Sequence, residues 1–296
     1  MVKKGILYAA STEKDRMICI CYYSPSDDEK IKGVIQVVHG MTEYMERYED
    51  FANYFVEQGY AVVGNDILGH GHSRSADNDP IYFEKWENPV NDILVTKNFI
   101  NEKFPDVPVY LLGFSLGSFL CRSLKSTGIY KKKIFVGTGS QPTFVLKLMR
   151  GLVRISNPKS KEESALVKKL AFDNYDIYFK GEEHGSWLIR DAEIRKAYWA
   201  DEKINAHFTA QFFIEFLRGM ELLNKGEVIE DIPTAFVSGG KDPVGGQGKS
   251  VQKVFEKYKK ICTVVSAIEV PEYGHDVLHD ACKHDVWEKI LDFIRR

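Results

Sequence analysis

The stretch Val109-Tyr110-Leu111-Leu112-Gly113-Phe114-Ser115-Leu116-Gly117 decides how the rest of the chain is read. Its first four residues are apolar and suit a buried strand. The last five match G-x-S-x-G, and a helical pattern begins at about Ser115. A serine on so sharp a strand-to-helix turn is held in a strained conformation with its hydroxyl exposed, and the flanking glycines leave the space a side chain would fill. The start of the following helix aims backbone N–H groups and positive potential at the place where an oxyanion would form. In that setting Ser115 reads as a nucleophile rather than an incidental serine on a glycine-rich turn.

Upstream, short apolar runs alternate with helical patterns. Residues 6–10 and 17–23 read as strands, 25–30 as a turn, and Gly33–Val38 as a nearly unbroken β-branched run of the kind buried on both faces of a parallel sheet. Helices are predicted at about 47–58, closed by Gly59, and at 90–103, with a strand at 61–64 between them. A further strand is predicted at 133–136. This alternation predicts a mostly parallel α/β sheet covered by helices on both faces. It stops after Ser140 and resumes with a strand at 234–238, a helix near Lys249–Lys259, a strand at 262–270 and a last helix at about 281–294. Residues 1–140 and 231–296 therefore read as one α/β core, and 141–230 as a helical cap inserted into it.

A serine hydroxyl is a weak nucleophile and needs a base, which needs an orienting acid. On a sheet with this kind of turn the three come in the order serine, acid, histidine, the last two on loops past late strands. Asp242 follows the strand at 234–238 through Gly239-Gly240-Lys241, and His275 follows the last strand through Pro271-Glu272-Tyr273-Gly274. The other histidines fit less well. His39, His70 and His72 precede the serine, and His184 and His207 lie in the insertion. His279 and His284, at or in the last helix, read as surface or supporting groups. Of the rival acids, Asp231 precedes its strand and Asp276 adjoins the histidine. Two N–H donors are needed for an oxyanion: Leu116, after the nucleophile, and Met41, in the loop His39-Gly40-Met41 that follows the third strand.

Composition narrows the remaining possibilities. The 296 residues are 44% hydrophobic and 28% charged, which excludes a disordered or collagen-like chain. Forty basic against 42 acidic residues leave a net charge of −2, so no field attracts nucleic acid. Five cysteines without paired spacing read as buried or half-buried free thiols in a reducing compartment. Neither a secretory signal nor a run of about 18 apolar residues is present, so the expected location is cytoplasmic. His70-Gly71-His72 near Asp66 has no further matched ligands, and no phosphate-cradling glycine motif follows a strand. No metal and no nucleotide cofactor are expected.

Three motifs together resemble a known family. His39-Gly40-Met41-Thr42-Glu43 with Arg47-Tyr48 resembles the HG-x-x-E…RY segment of monoacylglycerol lipase and lysophospholipase-like α/β hydrolases, a family related to serine aminopeptidases. Residues 65–73, Asn-Asp-Ile-Leu-Gly-His-Gly-His-Ser, resemble the family's D-x-R-G-H-G-x-S loop, with Leu68 where Arg is usual. Ser115, Asp242 and His275 fall where the family carries its triad. The resemblance covers about residues 30–120 and 230–290. It implies the α/β-hydrolase fold and serine-hydrolase chemistry but, since the family includes aminopeptidases and other esterases, does not name the substrate. The expected activity is hydrolysis of a small acyl-bearing carboxylic ester such as a monoacylglycerol or lysophospholipid.

The cap is the part expected to choose the substrate. From Phe172 to Phe216 there are eleven aromatic residues, about twice the density of the whole chain, which favours an apolar pocket over the serine. Before them, Val145, Leu148, Met149 and Leu152 recur at helical spacing, and 141–161 carry Lys147, Arg150, Arg154, Lys159 and Lys161 with no acid. Such a helix suits either an anionic lipid surface or an ordinary cap with a solvated face, and the second is preferred. An amidase or aminopeptidase on the same scaffold would need a cap acid for the substrate amine, with Glu182, Glu183, Asp191 and Glu193 as candidates. A receptor without turnover is the remaining alternative.

Overall fold

The computed structural model describes residues 2–296 apart from 27–29, 77–78, 126, 158–159, 172 and 205–206. Phe172, Lys159 and the middle of the turn at 25–30 lie outside the described residues. Within them, eight strands form one sheet: β1 Lys3–Ala10, β2 Met17–Ser24, β3 Gly33–Val38, β4 Tyr60–Asn65, β5 Val109–Phe114, β6 Lys132–Val136, β7 Thr234–Gly239 and β8 Val265–Val270. Their order is β1-β2-β4-β3-β5-β6-β7-β8. β2 pairs antiparallel with β1 and with β4, and every pairing from β4 to β8 is parallel.

Every residue of β3, β4, β5 and β7 is buried, which is why these strands read as continuous apolar runs rather than alternating ones. Helices α1 (Glu49–Glu57) and α9 (Lys283–Arg295) cover one face through Phe51, Phe55, Trp287 and Ile290. Helices α2 (Glu87–Lys103), α3 (Leu116–Ser123) and α8 (Lys249–Lys259) cover the other through Ile93, Ile100, Phe119, Leu120 and Tyr258. Between β6 and β7 run α4 (Thr143–Ser156), α5 (Ala165–Ala171), a 3-10 turn (Asp173–Phe179), α6 (Ala192–Ala200) and α7 (Ala210–Gly226). Leu146, Phe212 and Leu217 of this segment join the same apolar cluster as α3. All five cysteines are buried free thiols. Among the described residues no helix is long and apolar enough to cross a membrane.

Several boundaries differ from the sequence expectation, such as β1, which begins at Lys3 rather than 6, and three of the differences have a visible cause. The last strand begins at Val265, not 262, because the Asp231 carboxylate takes the Thr263 N–H (2.6 Å) and hydroxyl (2.9 Å) and turns the chain first. The helix expected from 47 is preceded by a 3-10 turn, Met45–Tyr48, whose leading N–H is held by Asp66 at 2.7 Å. α2 starts three residues before the predicted 90, with Pro89 inside its first turn, where a missing N–H costs no helical bond.

Where β5 passes into α3, Ser115 takes φ 49°, ψ −117°. A Cβ on Gly113 would lie 2.6 Å from the Gly117 carbonyl oxygen, and one on Gly117 would lie 1.9 Å from that of Val38. Both obstacles are backbone, so neither can swing aside. Gly117→Ala should therefore lower stability by at least ~1–3 kcal/mol, seen as a depressed Tm, as overpacked sites do. Gly151→Ala in α4, where a Cβ meets nothing within 4 Å, should leave Tm unchanged or raise it.

Candidate active site

The structure brings Ser115, His275 and Asp242 together from three loops at the same end of the sheet. Ser115 Oγ lies 2.7 Å from His275 Nε2. On the other side of the ring Asp242 Oδ2 lies 2.9 Å from Nδ1, in ion-pair contact though off line for an ideal hydrogen bond. Asp242 is fully buried, and its second oxygen accepts the Val244 N–H at 2.8 Å. Burial alone would lower the His275 pKa, but the Asp242 carboxylate outweighs it and the ring holds its proton above the ordinary 6.5.

The ring also needs room, and Gly137 supplies it. At φ +60°, just after β6, a Cβ there would lie 2.7 Å from His275 Cε1. Phe114 packs against the imidazole with ring centroids 5.1 Å apart. Gly137 is absent from the residues predicted from sequence; the available signal is a glycine at the exit of a central strand.

Met41 and Leu116 line the same cavity as Ser115 and His275. Among the described residues neither backbone N–H has a hydrogen-bond partner within the chain. The loop bearing Met41 is fixed by Glu43, whose Oε1 accepts the Gly40 N–H at 2.6 Å and the Tyr48 hydroxyl at 2.8 Å. Arg47 binds the other oxygen of Glu43 and donates to Asp276 at 2.7 Å, on the histidine loop. Asp276 in turn meets His279 Nδ1 at 2.8 Å. Burial would raise the Asp276 pKa, but His279 and Arg47 hold it well below the usual carboxylate range. The guanidinium lies 4.7 Å from the centre of the Tyr198 ring in α6, whose hydroxyl meets Thr42 Oγ1 at 2.5 Å. Arg47 thus joins the Met41 loop, the histidine loop and the cap. Sequence reasoning quotes Glu43 and Arg47 as motif letters and sets Asp276 aside, so this network is missed. Of the two readings open for His279, surface or supporting group, its contact with Asp276 fits the second.

Glu43, Asp276 and His279 also cluster closely enough for a metal ion, but the Arg47 guanidinium bridging the two acids already supplies the cation there. His39 and His70 are wholly buried, and burial pulls their pKa values down to about 4 and about 3. His39 Nε2 accepts the Ile67 N–H at 2.8 Å, a structural duty. Asp66 caps the backbone N–H groups of Met45 and His72 rather than offering a ligand set. Leu68 is fully buried in the apolar cluster.

The cavity holds about 250 Å³. One part of its wall is apolar, from Phe119, Leu146, Met149, Phe213, Phe216 and Met220, and another is polar, from Glu43, Arg47, Tyr198 and Asp276. Of the cap aromatics, Tyr175, Trp187, Tyr198, Phe213 and Phe216 reach it, whereas Phe208 and Phe212 pack in the core and Tyr178 faces solvent. The four candidate cap acids do not line it. Glu182 pairs with Arg190, Glu183 with Arg195 at 2.6 Å, Asp191 caps α6, and Glu193 is exposed.

Residues 29–281 match the family model described as serine aminopeptidase, S33. The chain is 32% identical over 274 residues to the monoglyceride lipase of Rattus norvegicus, covering 88% of this chain and 83% of that protein. A thermostable carboxyl esterase from Bacillus coagulans superposes with a TM-score of 0.87 at 21% identity, over 99% of this chain and 98% of that one. A soluble variant of monoglyceride lipase from Saccharomyces cerevisiae gives 0.74 at 13% identity, over 98% and 94%. At those identities the two structural likenesses speak for the fold alone.

Since Asp242 is what raises the His275 pKa against burial, histidine NMR should find the imidazole titrating above pH 6.5 in the wild type. In Asp242→Asn the largest opposing charge is gone, burial is set only against the smaller effects of Asp276 and Glu43, and the midpoint should fall. An unmoved midpoint would assign the orienting charge to another group.

Proposed function

The chain belongs to the serine aminopeptidase S33 family of α/β hydrolases, and from that premise we propose that it hydrolyses carboxylic esters of monoacylglycerol type through Ser115, His275 and Asp242. The observation that carries the reading is the Ser115 hydroxyl 2.7 Å from His275 Nε2 on the wall of a largely apolar cavity. His275 takes the hydroxyl proton as Ser115 attacks the ester carbonyl, while Asp242 keeps the imidazole in the tautomer that leaves Nε2 free. The N–H groups of Met41 and Leu116 receive the oxyanion. His275 then passes its proton to the departing alcohol, and water releases the acid from Ser115 by the same steps in reverse roles. The acyl chain lies along Phe213, Phe216 and Met149, and the alcohol faces the polar wall.

An ester fits better than a peptide with a free amine. The cap acids are engaged or turned to solvent, and the acids on the cavity wall, Glu43 and Asp276, are both bound by Arg47. A substrate ammonium would have to displace that guanidinium.

The reading extends to a lipid surface through α4. Leu146 and Val153 point inward, yet Phe144, Leu148, Leu152 and Ile155 are 73, 62, 53 and 83% exposed on the outside. Lys147 and Arg154 are exposed on the same helix, and the extent of the exposed apolar side chains favours a lipid surface over the ordinary solvated face preferred from sequence. Apolar teeth flanked by cations suit an anionic bilayer.

A fluorophosphonate probe should label the wild type and not Ser115→Ala, and that substitution should reduce monoacylglycerol hydrolysis by at least ~10³-fold. p-Nitrophenyl esters should turn over and amino-acid nitroanilides should not; the reverse preference would favour the aminopeptidase reading. In flotation assays the double variant Leu148→Glu, Ile155→Glu should lose at least ~10-fold in affinity for anionic vesicles, by the apolar area withdrawn, with soluble-ester turnover unchanged.

A further inference from the structure

The cap touches the base as well as the pocket. Residues 187–191 and the loop bearing His275 exchange four hydrogen bonds. The His275 N–H donates to the Trp187 carbonyl at 2.9 Å, and the Asp276 N–H donates to the Leu188 carbonyl at 2.8 Å. In return the Asp280 carboxylate accepts the N–H groups of Arg190 (2.5 Å) and Asp191 (3.1 Å), besides that of Ala281 at 2.8 Å. Asp280 is 1% exposed and does not line the cavity.

Two further features belong to this contact. The Trp187 ring, itself buried, lies with its centroid 5.8 Å from the imidazole. Gly274, just before the histidine, has no left-handed φ, yet a Cβ there would fall 2.3 Å from the Trp187 carbonyl oxygen. That glycine serves the close approach of the cap, not a turn. By contrast, the backbone hydrogen bonds of 143–180 among the described residues stay inside the cap.

We infer that Asp280 is a positioning residue for the base. By holding 190–191 it docks 187–188 against the backbone of His275, so this half of the cap is a fixed wall of the active site. The inference rests on the serine-hydrolase reading above, in which His275 must reach both Ser115 and the leaving alcohol. An imidazole backed by a loosened loop still binds substrate alongside it but transfers protons from the wrong place, and a shift of about 1 Å can cost ~100-fold in rate.

The test is steady-state hydrolysis of a p-nitrophenyl ester by Asp280→Ala, Asp280→Asn and Gly274→Ala, with Tm measured in parallel. Asp280→Ala should lower kcat about 10- to 100-fold with KM within about twofold, and the rate of fluorophosphonate labelling should fall with kcat. Asp280→Asn, which keeps one acceptor oxygen but turns an NH2 toward an N–H the carboxylate held, should recover only part of the loss and stay clearly below wild type. Gly274→Ala, which pushes the Trp187 carbonyl away from the other side, should repeat the kcat defect with Asp280 intact. Normal kcat in the soluble variants, even with a lower Tm, would overturn the assignment, as would a rise in KM alone. Should Asp280→Ala fail to fold, Asp280→Asn and Gly274→Ala decide: normal kcat in both overturns it. Full activity in Ser115→Ala would instead overturn the underlying reading.

Discussion

A single backbone constraint organises this end of the molecule: Ser115 must sit at φ 49°, ψ −117° with two β-strands and a helix pressed around it. Such a conformation costs on the order of 1–3 kcal/mol and persists only where the surroundings over-determine it. Here they do so by contact. Gly117 leaves room for the Val38 carbonyl at the end of β3, and the Ser115 N–H is tied to the Val136 carbonyl at 2.9 Å at the end of β6. The neighbours of β5 in the sheet are β3 and β6, so the strand order that places Ser115 also delivers the loops carrying Met41 and Gly137 to its two sides. Parallel pairing brings all these strand ends to one edge, the usual place for function in an open α/β sheet.

A buried charge performs the same service for the loops. Arg47 is mostly buried, and removing one partner from such a group typically costs several kcal/mol because the other charge is left uncompensated. Its carboxylate partners stand on the two loops whose relative position matters most to the proposed chemistry: Glu43, which holds Gly40 beside Met41, and Asp276, next to His275. A hydrophobic core would hold those loops less specifically, since apolar packing tolerates small slips that a guanidinium between two carboxylates does not. The cluster therefore acts as a spacer of defined length between the candidate oxyanion donor and the candidate base.

What is legible in the sequence follows from how local each interaction is. β3, β4, β5 and β7 can be read because a strand buried on both faces is mostly apolar, with few polar residues such as Gln36 among them. Ser115, Asp242 and His275 can be singled out because they stand directly or one short loop beyond the ends of β5, β7 and β8. The start of β8 cannot, since two hydrogen bonds from Thr263 to a carboxylate 32 residues earlier set it. The partnership of Arg47 with Asp276 spans 229 residues and leaves no periodic trace. His279 reads from sequence as a surface or a supporting group, and only the Tyr48 ring at 4.6 Å, a tertiary contact, together with its neighbour Asp276, decides for the second. Leu68 is the instructive departure: where the family resemblance leads to the expectation of Arg, this chain has a buried aliphatic residue in the apolar cluster that includes Phe212.

The cap itself divides into parts with different physical character. Residues 187–191 are joined to the histidine loop by hydrogen bonds that place the base, so moving them would disturb the proposed chemistry. α4 carries apolar side chains on both sides: Leu146 and Met149 line the cavity, and Phe144 and Ile155 face outward beside the exposed Lys147 and Arg154. Large apolar side chains gathered on an exposed face are normally covered by a partner or a lipid surface. On the proposed function, a lipid surface supplies the missing cover, and the same helix that rests on it forms a wall of the acyl pocket. A monoacylglycerol leaving the bilayer along α4 then exchanges one apolar contact for another, without exposing its whole chain to water. On that reading the labour is divided: 187–191 place the base through their hydrogen bonds to the histidine loop, and α4 meets the lipid and walls the acyl pocket.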